Sequence, residues 1–241
     1  MDTVDGALAA ERAGADRAEL CSALELGGLT PGPGTLAEAR AQLAIPLVVL
    51  VRPRRGDFLY SPADLAAAWR DVQAARAAGA DGVALGLLDR EGDLDRERTA
   101  ALVEFARPMT VTFHRAFDLM RDRERALEQL VELGIERVLT SGGASDVHAG
   151  EKSLARLVER AAGRIVVMAG GGVRPATVAQ LVASTGVPEV HLSARVLESS
   201  AMQHRNPECA LGSSQLPDEY ELARTDPQLV RAAVSALKSQ A

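Results

Sequence analysis

Aromatic residues make up only 3% of this 241-residue chain, so its core has to be packed chiefly by Ala, Val and Leu. Lysine is nearly missing. Lys152 and Lys238 are the whole complement, and arginine supplies the other cations. Both lysines fall in helix-patterned stretches, which speaks against a Schiff-base aldolase, because that chemistry needs a desolvated lysine at a strand end. The two cysteines, Cys21 and Cys209, are too few for a disulfide framework, and a reducing cytoplasm is the expected compartment. No apolar run approaches the length of a membrane span, and the opening MDTVDGALAAERAG lacks the basic-then-apolar order of a secretory signal. The formal net charge of −6 disfavours a general nucleic-acid binder, which carries a basic stripe. Neither a nucleic acid nor a membrane is an expected partner. HxH, HExxH and GxSxG patterns are all absent, which leaves zinc hydrolysis and the serine-elbow mechanism without their residues.

What the chain does contain is a repeat. AGADRAEL (13–20), AGADGVAL (78–85), LGIERVLT (133–140) and TGVPEVHL (185–192) each place a Gly after a helix-period stretch and a short apolar run a few residues later. Gly14, Gly79, Gly134 and Gly186 read as helix ends, where a left-handed backbone is cheapest for Gly. Seven strands follow: 17–21, 46–52, 82–87, 109–114, 136–141, 164–169 and 189–193. With helical crossovers between them they predict a parallel α/β sheet in a single domain over 1–241, a (β/α)8 barrel of the TIM type. One strand is short of eight. The chain opens directly on a helix near 3–13, so the first strand should lie before Met1; the alternative, a gap in the wall, would leave two unpaired edges. A last helix is expected at 226–238, after an irregular stretch QHRNPECALGSS (203–214) that should fold over the mouth.

Counting from each glycine also gives the strand phase. The fourth and sixth positions (Ala18/Leu20, Val83/Leu85, Val138/Thr140, Val190/Leu192) are mostly branched and apolar, and should face the helices. The fifth and seventh (Glu19/Cys21, Ala84/Gly86, Leu139/Ser141, His191/Ser193) should point into the barrel. Thr112, His114 and Arg52 share that inward parity. The polar ends of different strands then meet at the carboxyl-terminal rim, where such barrels keep their sites.

Two chemistries are readable in that rim. Glycine-rich runs at 140–143 and 169–173, with HLSA at 191–194, offer backbone N–H groups to an anion. Arg52, Arg54 and Arg115 would add charge-assisted contacts to Ser141, Gly142, Gly143, Gly170, Gly171, Gly172 and Ser193. Proton transfer on such an anion would fall to Glu19, His114 or Asp118. A plainer alternative is a structural ion pair between Glu19 and Arg52. For a soft metal such as Cu(I), Cys21 with His114 or His191 is the candidate set, with Met168 and Met202 as further soft donors. A buried Cys21 that merely packs is the plain alternative there.

ELC (19–21), GGLTP (27–31), RPRRGDF (52–58), TFHRAFD (112–118), LTSGG (139–143), MAGGGV (168–173) and HLSA (191–194), taken in order, resemble the CutC family over about residues 8–222. The resemblance implies a cytoplasmic βα barrel, a homo-oligomer, linked to copper tolerance and reported to bind copper; it establishes no reaction. Two departures stand out. The family's opening strand has no counterpart, and Arg55 stands where the RPRGGDF motif has Gly.

Overall fold

The computed structural model describes residues 1–206, 208, 209, 211 and 218–239. The repeat units fold as strand–helix pairs. After helix α1 (Val4–Arg12) come β1 (Ala18–Leu20), α2 (Pro33–Gln42), β2 (Leu47–Leu50), α3 (Pro62–Ala77) and β3 (Gly82–Leu85). Next are α4 (Arg96–Ala106), β4 (Thr110–Phe113), α5 (Arg123–Glu132), β5 (Arg137–Thr140), α6 (Glu151–Ala161), β6 (Val166–Gly170), α7 (Val178–Thr185) and β7 (Glu189–His191). The helix starts are chemically marked. Ser61 and Asp64 form a reciprocal capping box on α3 behind Pro62, and Asp95 and Asp122 cap α4 and α5.

All seven strands pair in parallel and in chain order, β1 to β7, giving the curled sheet of a TIM-type fold. Its seam lies between β1 and β7. Met1 sits in that seam: its amino group donates to Glu19 O (2.6 Å), and its carbonyl accepts from Cys21 N–H (2.8 Å). Those are the two bonds by which one residue of a parallel strand bridges its neighbour.

The inward–outward phase read from the glycines holds. Leu20, Val83, Leu85, Val111, Phe113 and Val138 join the main core between sheet and helices. Cys21, Val48, Leu50 and Ala84 form a separate cluster inside the curl.

The end of the chain is less regular than its repeat. β8 (Arg195–Ser199) and β9 (Glu221–Thr225) pair antiparallel as a two-stranded ribbon beside α1, and α8 (Pro227–Lys238) follows. The ribbon flanks the stretch 203–214; the described residues of that stretch form no helix or strand, as expected, and the ribbon itself is an addition to the expected elements. Residues 207, 210 and 212–217 lie outside the described residues. No helix among the described residues is long and apolar enough to cross a membrane.

Candidate functional site

The rim residues separate into three neighbouring groups. The first surrounds Asp118, on the 3-10 turn Arg115–Leu119 that follows β4. Its carboxylate accepts from Thr140 Oγ1 (2.5 Å), Ser141 N–H (3.0 Å), Gly143 N–H (2.9 Å) and Arg115 Nε (2.7 Å). Gly142 N–H donates to Thr140 Oγ1 (2.9 Å), and the Ser141 hydroxyl turns to Ala144 O (2.6 Å). The loop after β5 therefore wraps its own carboxylate. Asp118 takes the place expected for a bound anion at Ser141, Gly142 and Gly143, and it is a holding group with every lone pair engaged rather than a free acid or base.

What Asp118 holds is Arg115. A second bond, Arg115 Nη2 to Ser141 Oγ (2.9 Å), fixes the guanidinium, which lies over Gly171; a Cβ there would stand 3.0 Å from Arg115 Cζ and Nη1. Gly171 (φ +104°) and Gly172 (φ +78°) take conformations that suit glycine, and no acceptor among the described residues engages their N–H groups. Asp146 flanks Gly172, with its carboxylate turned to the N–H groups of His148 and Ala149. Arg115 keeps Nη1 free of partners among the described residues, and its side chain is 42% exposed. Gly170 pairs with His191 across β6 and β7, bringing the seam next to this loop.

The second group lies on the β2 side. Arg52 donates from Nη1 to Leu26 O (3.0 Å) and Gly28 O (2.9 Å), and from Nη2 to Gly56 O (3.0 Å). The expected Glu19–Arg52 ion pair does not form; no carboxylate among the described residues pairs with Arg52. Burial lowers the Arg52 pKa from its ordinary value. Phe58 lies against both Arg52 (Cζ 5.0 Å from the ring centroid) and the His114 imidazole (centroids 4.8 Å apart). His114 is buried above Gly86, where a Cβ would come within 2.6 Å of the ring. Its Nδ1 accepts the Ala116 N–H (3.2 Å), so the proton of the neutral ring sits on Nε2. Burial first, and the Arg52 charge second, push the His114 pKa down to about 3. His114 is thus a neutral donor at neutral pH. Tyr60, also buried here, has its hydroxyl pushed up to about 12 by burial. Arg54 stands apart: its guanidinium binds Asp57 (2.9 Å) and Asp64 (3.1 Å) and the carbonyls of Arg55, Asp57 and Leu59, which organises the β2–α3 loop.

The third group lines a cavity of about 360 Å³ at the seam, with Glu19, Cys21, Thr112, His191 and Ser193 on its inner side and α8 on its outer. Glu19 has no side-chain partner among the described residues. Burial lowers the His191 pKa, against the pull of Glu19. At the floor, Glu189 joins Arg17 (2.6 Å) and Arg137 (3.0 Å), a triad that the sequence reading did not single out. The signal was present: all three occupy the third position after a repeat glycine, the same inward parity as Glu19 and His191. Thr140 and Phe58 were also missed, the one because its parity faces the helices, the other because it comes from a loop.

Among the described residues the candidate copper donors come together only in part: Cys21, His191 and Met168 line the seam cavity, and His114 does not. Among the described residues no three His, Cys, Asp or Glu side chains are placed to hold a metal ion. Burial raises the Cys21 pKa, partly offset by the amino terminus, and so disfavours the thiolate a soft metal needs. His114 lies beside Phe58, not among the side chains of the seam cavity that holds Cys21 and His191. Met168 Sδ accepts from Arg17 Nη2 (3.3 Å), and Met202 and Cys209 are exposed.

Comparison with known proteins places this geometry. A human protein named copper homeostasis protein cutC homolog is 45% identical over 231 residues, covering 96% of this chain and 85% of the relative. A family protein CutC from Chromobacterium violaceum is 48% identical over 230 residues, covering 95% and 93%. Among solved structures, one named for copper homeostasis protein CutC from Streptococcus agalactiae superposes with a TM-score of 0.71 at 33% identity, over 73% of this chain and 87% of that one. A thiamine phosphate pyrophosphorylase from Pyrococcus furiosus (TM-score 0.58, 15% identity, 98% and 90% covered) shares the fold alone. The CutC family profile itself matches residues 1–196, and the chain belongs to the CutC family.

Proposed function

We propose that the rim binds a small organic anion, a phosphorylated or carboxylated metabolite, with Arg115 and the loop after β6 holding its charged group. The observation that carries this reading is the pose of Arg115. Asp118 and Ser141 fix its guanidinium over Gly171 and leave Nη1 and two glycine N–H groups unbonded beside it among the described residues. A fixed cation next to free backbone donors costs little to organise when an anion arrives. Of the acid–base candidates, His114 is held neutral with its lone pair engaged. Glu19, unpaired among the described residues and open to the seam cavity, is then the group able to accept a proton. The test is thermal. Inorganic phosphate at about 100 times its Kd stabilises a one-site binder by about 2.7 kcal/mol, or roughly 5–10 °C in a chain of this size. Arg115→Ala should keep the fold and abolish that shift; an undiminished shift would remove the site from Arg115.

Copper is the second reading, favoured by the names of the relatives and by Cys21 and His191 lining one cavity. On this reading Cu(I) titration into Cys21→Ala loses tight binding, and equal binding by wild type and variant excludes Cys21 as the ligand. The free thiols of Cys21 and Cys209 support a cytoplasmic setting. A homo-oligomer would most simply use the β8–β9 ribbon, which leaves Leu197 and Leu222 exposed, and light scattering of Leu197→Asp against wild type tests that contact.

A further inference from the structure

Two buried N–H groups have no acceptor among the described residues: Arg52 Nε–H and His114 Nε2–H. Both side chains are more than nine-tenths buried, at 8% and 4% exposure. Neither is idle for lack of order. Three of the five N–H groups of Arg52 are tied to the carbonyls of Leu26, Gly28 and Gly56, so Nε–H and one Nη2–H are what the guanidinium has left to offer. His114 is fixed at Nδ1 by the Ala116 N–H and from below by Gly86, so its remaining donor is equally fixed. A buried donor left unmade is costly, and two of them on one aromatic neighbour ask for a common acceptor. That neighbour is Phe58, whose ring lies against both groups.

We infer that Arg52 and His114 form a receptor for one oxygen atom, the carbonyl oxygen of the ligand, and that the Phe58 ring covers it until the ligand enters. The inference rests on the anion reading of the rim, and it narrows the substrate class to small phosphorylated ketones or aldehydes. The charged end is already provided for at Arg115. A second full carboxylate in this buried pocket would cost far more desolvation than a carbonyl. The donor pair suits an oxygen that gains negative charge. One partner is a cation with no carboxylate to neutralise it among the described residues, and the other is a neutral imidazole that polarises without releasing a proton. Arg52 and His114 are, on this account, the groups that would touch the reacting oxygen, and Phe58 excludes water from them.

Three probes separate this inference from the reading beneath it: inorganic phosphate, glycerol 3-phosphate and dihydroxyacetone phosphate, each titrated against the wild-type protein. The two organic phosphates differ in having an alcohol or a carbonyl at the same carbon. All three should stabilise the fold. The ketone should bind roughly tenfold tighter than the alcohol, the ratio expected for one hydrogen bond to a charged donor. The infrared band of its 13C-labelled carbonyl should move to lower frequency on binding. His114→Phe should erase both the band shift and the preference while leaving the phosphate response. The band shift in wild type needs no variant to fold. If phosphate and both organic phosphates bind alike and the carbonyl band stays in place, the two donors serve a buried water and the inference is overturned while the anion reading stands. If phosphate itself gives no stabilisation, both fall together.

Discussion

Removing the Asp118 carboxylate should cost this protein more than any other single change at the rim. Asp118→Ala withdraws the acceptor from Thr140 Oγ1, Ser141 N–H, Gly143 N–H and Arg115 Nε at once. Arg115 and Gly143 can turn to water, because both groups reach solvent. Thr140 and Ser141 cannot, since each is fully buried. A buried donor without a partner costs about 1–3 kcal/mol, so two give about 2–6 kcal/mol, a large share of the ~5–15 kcal/mol a domain has. Urea unfolding should show this as a midpoint lower by roughly 1–2 M, with an unchanged slope. Asp118→Asn keeps the shape but turns an amide N–H2 toward donors, so it should fall between wild type and Asp118→Ala. The functional consequence is separable: at temperatures where the variants remain folded, phosphate should no longer stabilise them, because Arg115 has lost its anchor. An Asp118→Ala midpoint within about 0.2 M of wild type would show that the loop after β5 stands without its carboxylate, and the reasoning would fail.

Three further outcomes follow from the same geometry. His114 titrates near 6.5 when unfolded and at about 3 when folded, so between these values the unfolded chain binds the proton and the native one does not. Stability should therefore be complete above about pH 6.5 and fall by up to roughly 1.4 kcal/mol per pH unit as pH drops toward 3, a slope that His114→Gln should flatten in pH-dependent urea melts. Gly86→Ala puts a Cβ within 2.6 Å of the His114 ring and should destabilise by about 1–3 kcal/mol, visible as a lower Tm; an unchanged Tm would mean the ring is free to shift. Hydrogen bonds from Arg137 and Arg17 hold the Glu189 pKa below its ordinary value despite burial, so its contribution is present above about pH 4.5 and lost as pH falls further, and Glu189→Ala should remove that acid-side loss along with about 1–3 kcal/mol of stability at pH 7.

The wall of the protein was legible because one glycine per unit fixes both where a strand begins and which way each side chain points. From Gly134 alone, Val138 goes to the helices and Leu139 to the interior, and both are where the count puts them. The ribbon β8–β9 was not legible, because its two strands are separated by more than twenty residues with no short turn between them to announce a hairpin. The candidate site was half legible. Parity gathers Glu19, Cys21 and His191 at one cavity, yet it cannot tell a carboxylate that receives a ligand from one that substitutes for it. Asp118 is the second kind, and only the bonds from Thr140, Ser141 and Gly143 reveal it. Similarly, the tautomer of His114 depends on a backbone N–H two residues on, a contact no spacing rule supplies.

The pose of Met1 bears on how the molecule should be handled. Because its amino group is bonded to Glu19 O and the residue lines the seam cavity, a purification tag joined there starts beside Glu19 and Cys21. Such a tag becomes part of the cylinder's lining, able to mimic or mask a ligand. A handle placed beyond α8 leaves Met1 untouched, and paired preparations tagged at opposite ends would show whether a measured affinity belongs to the protein or to its label.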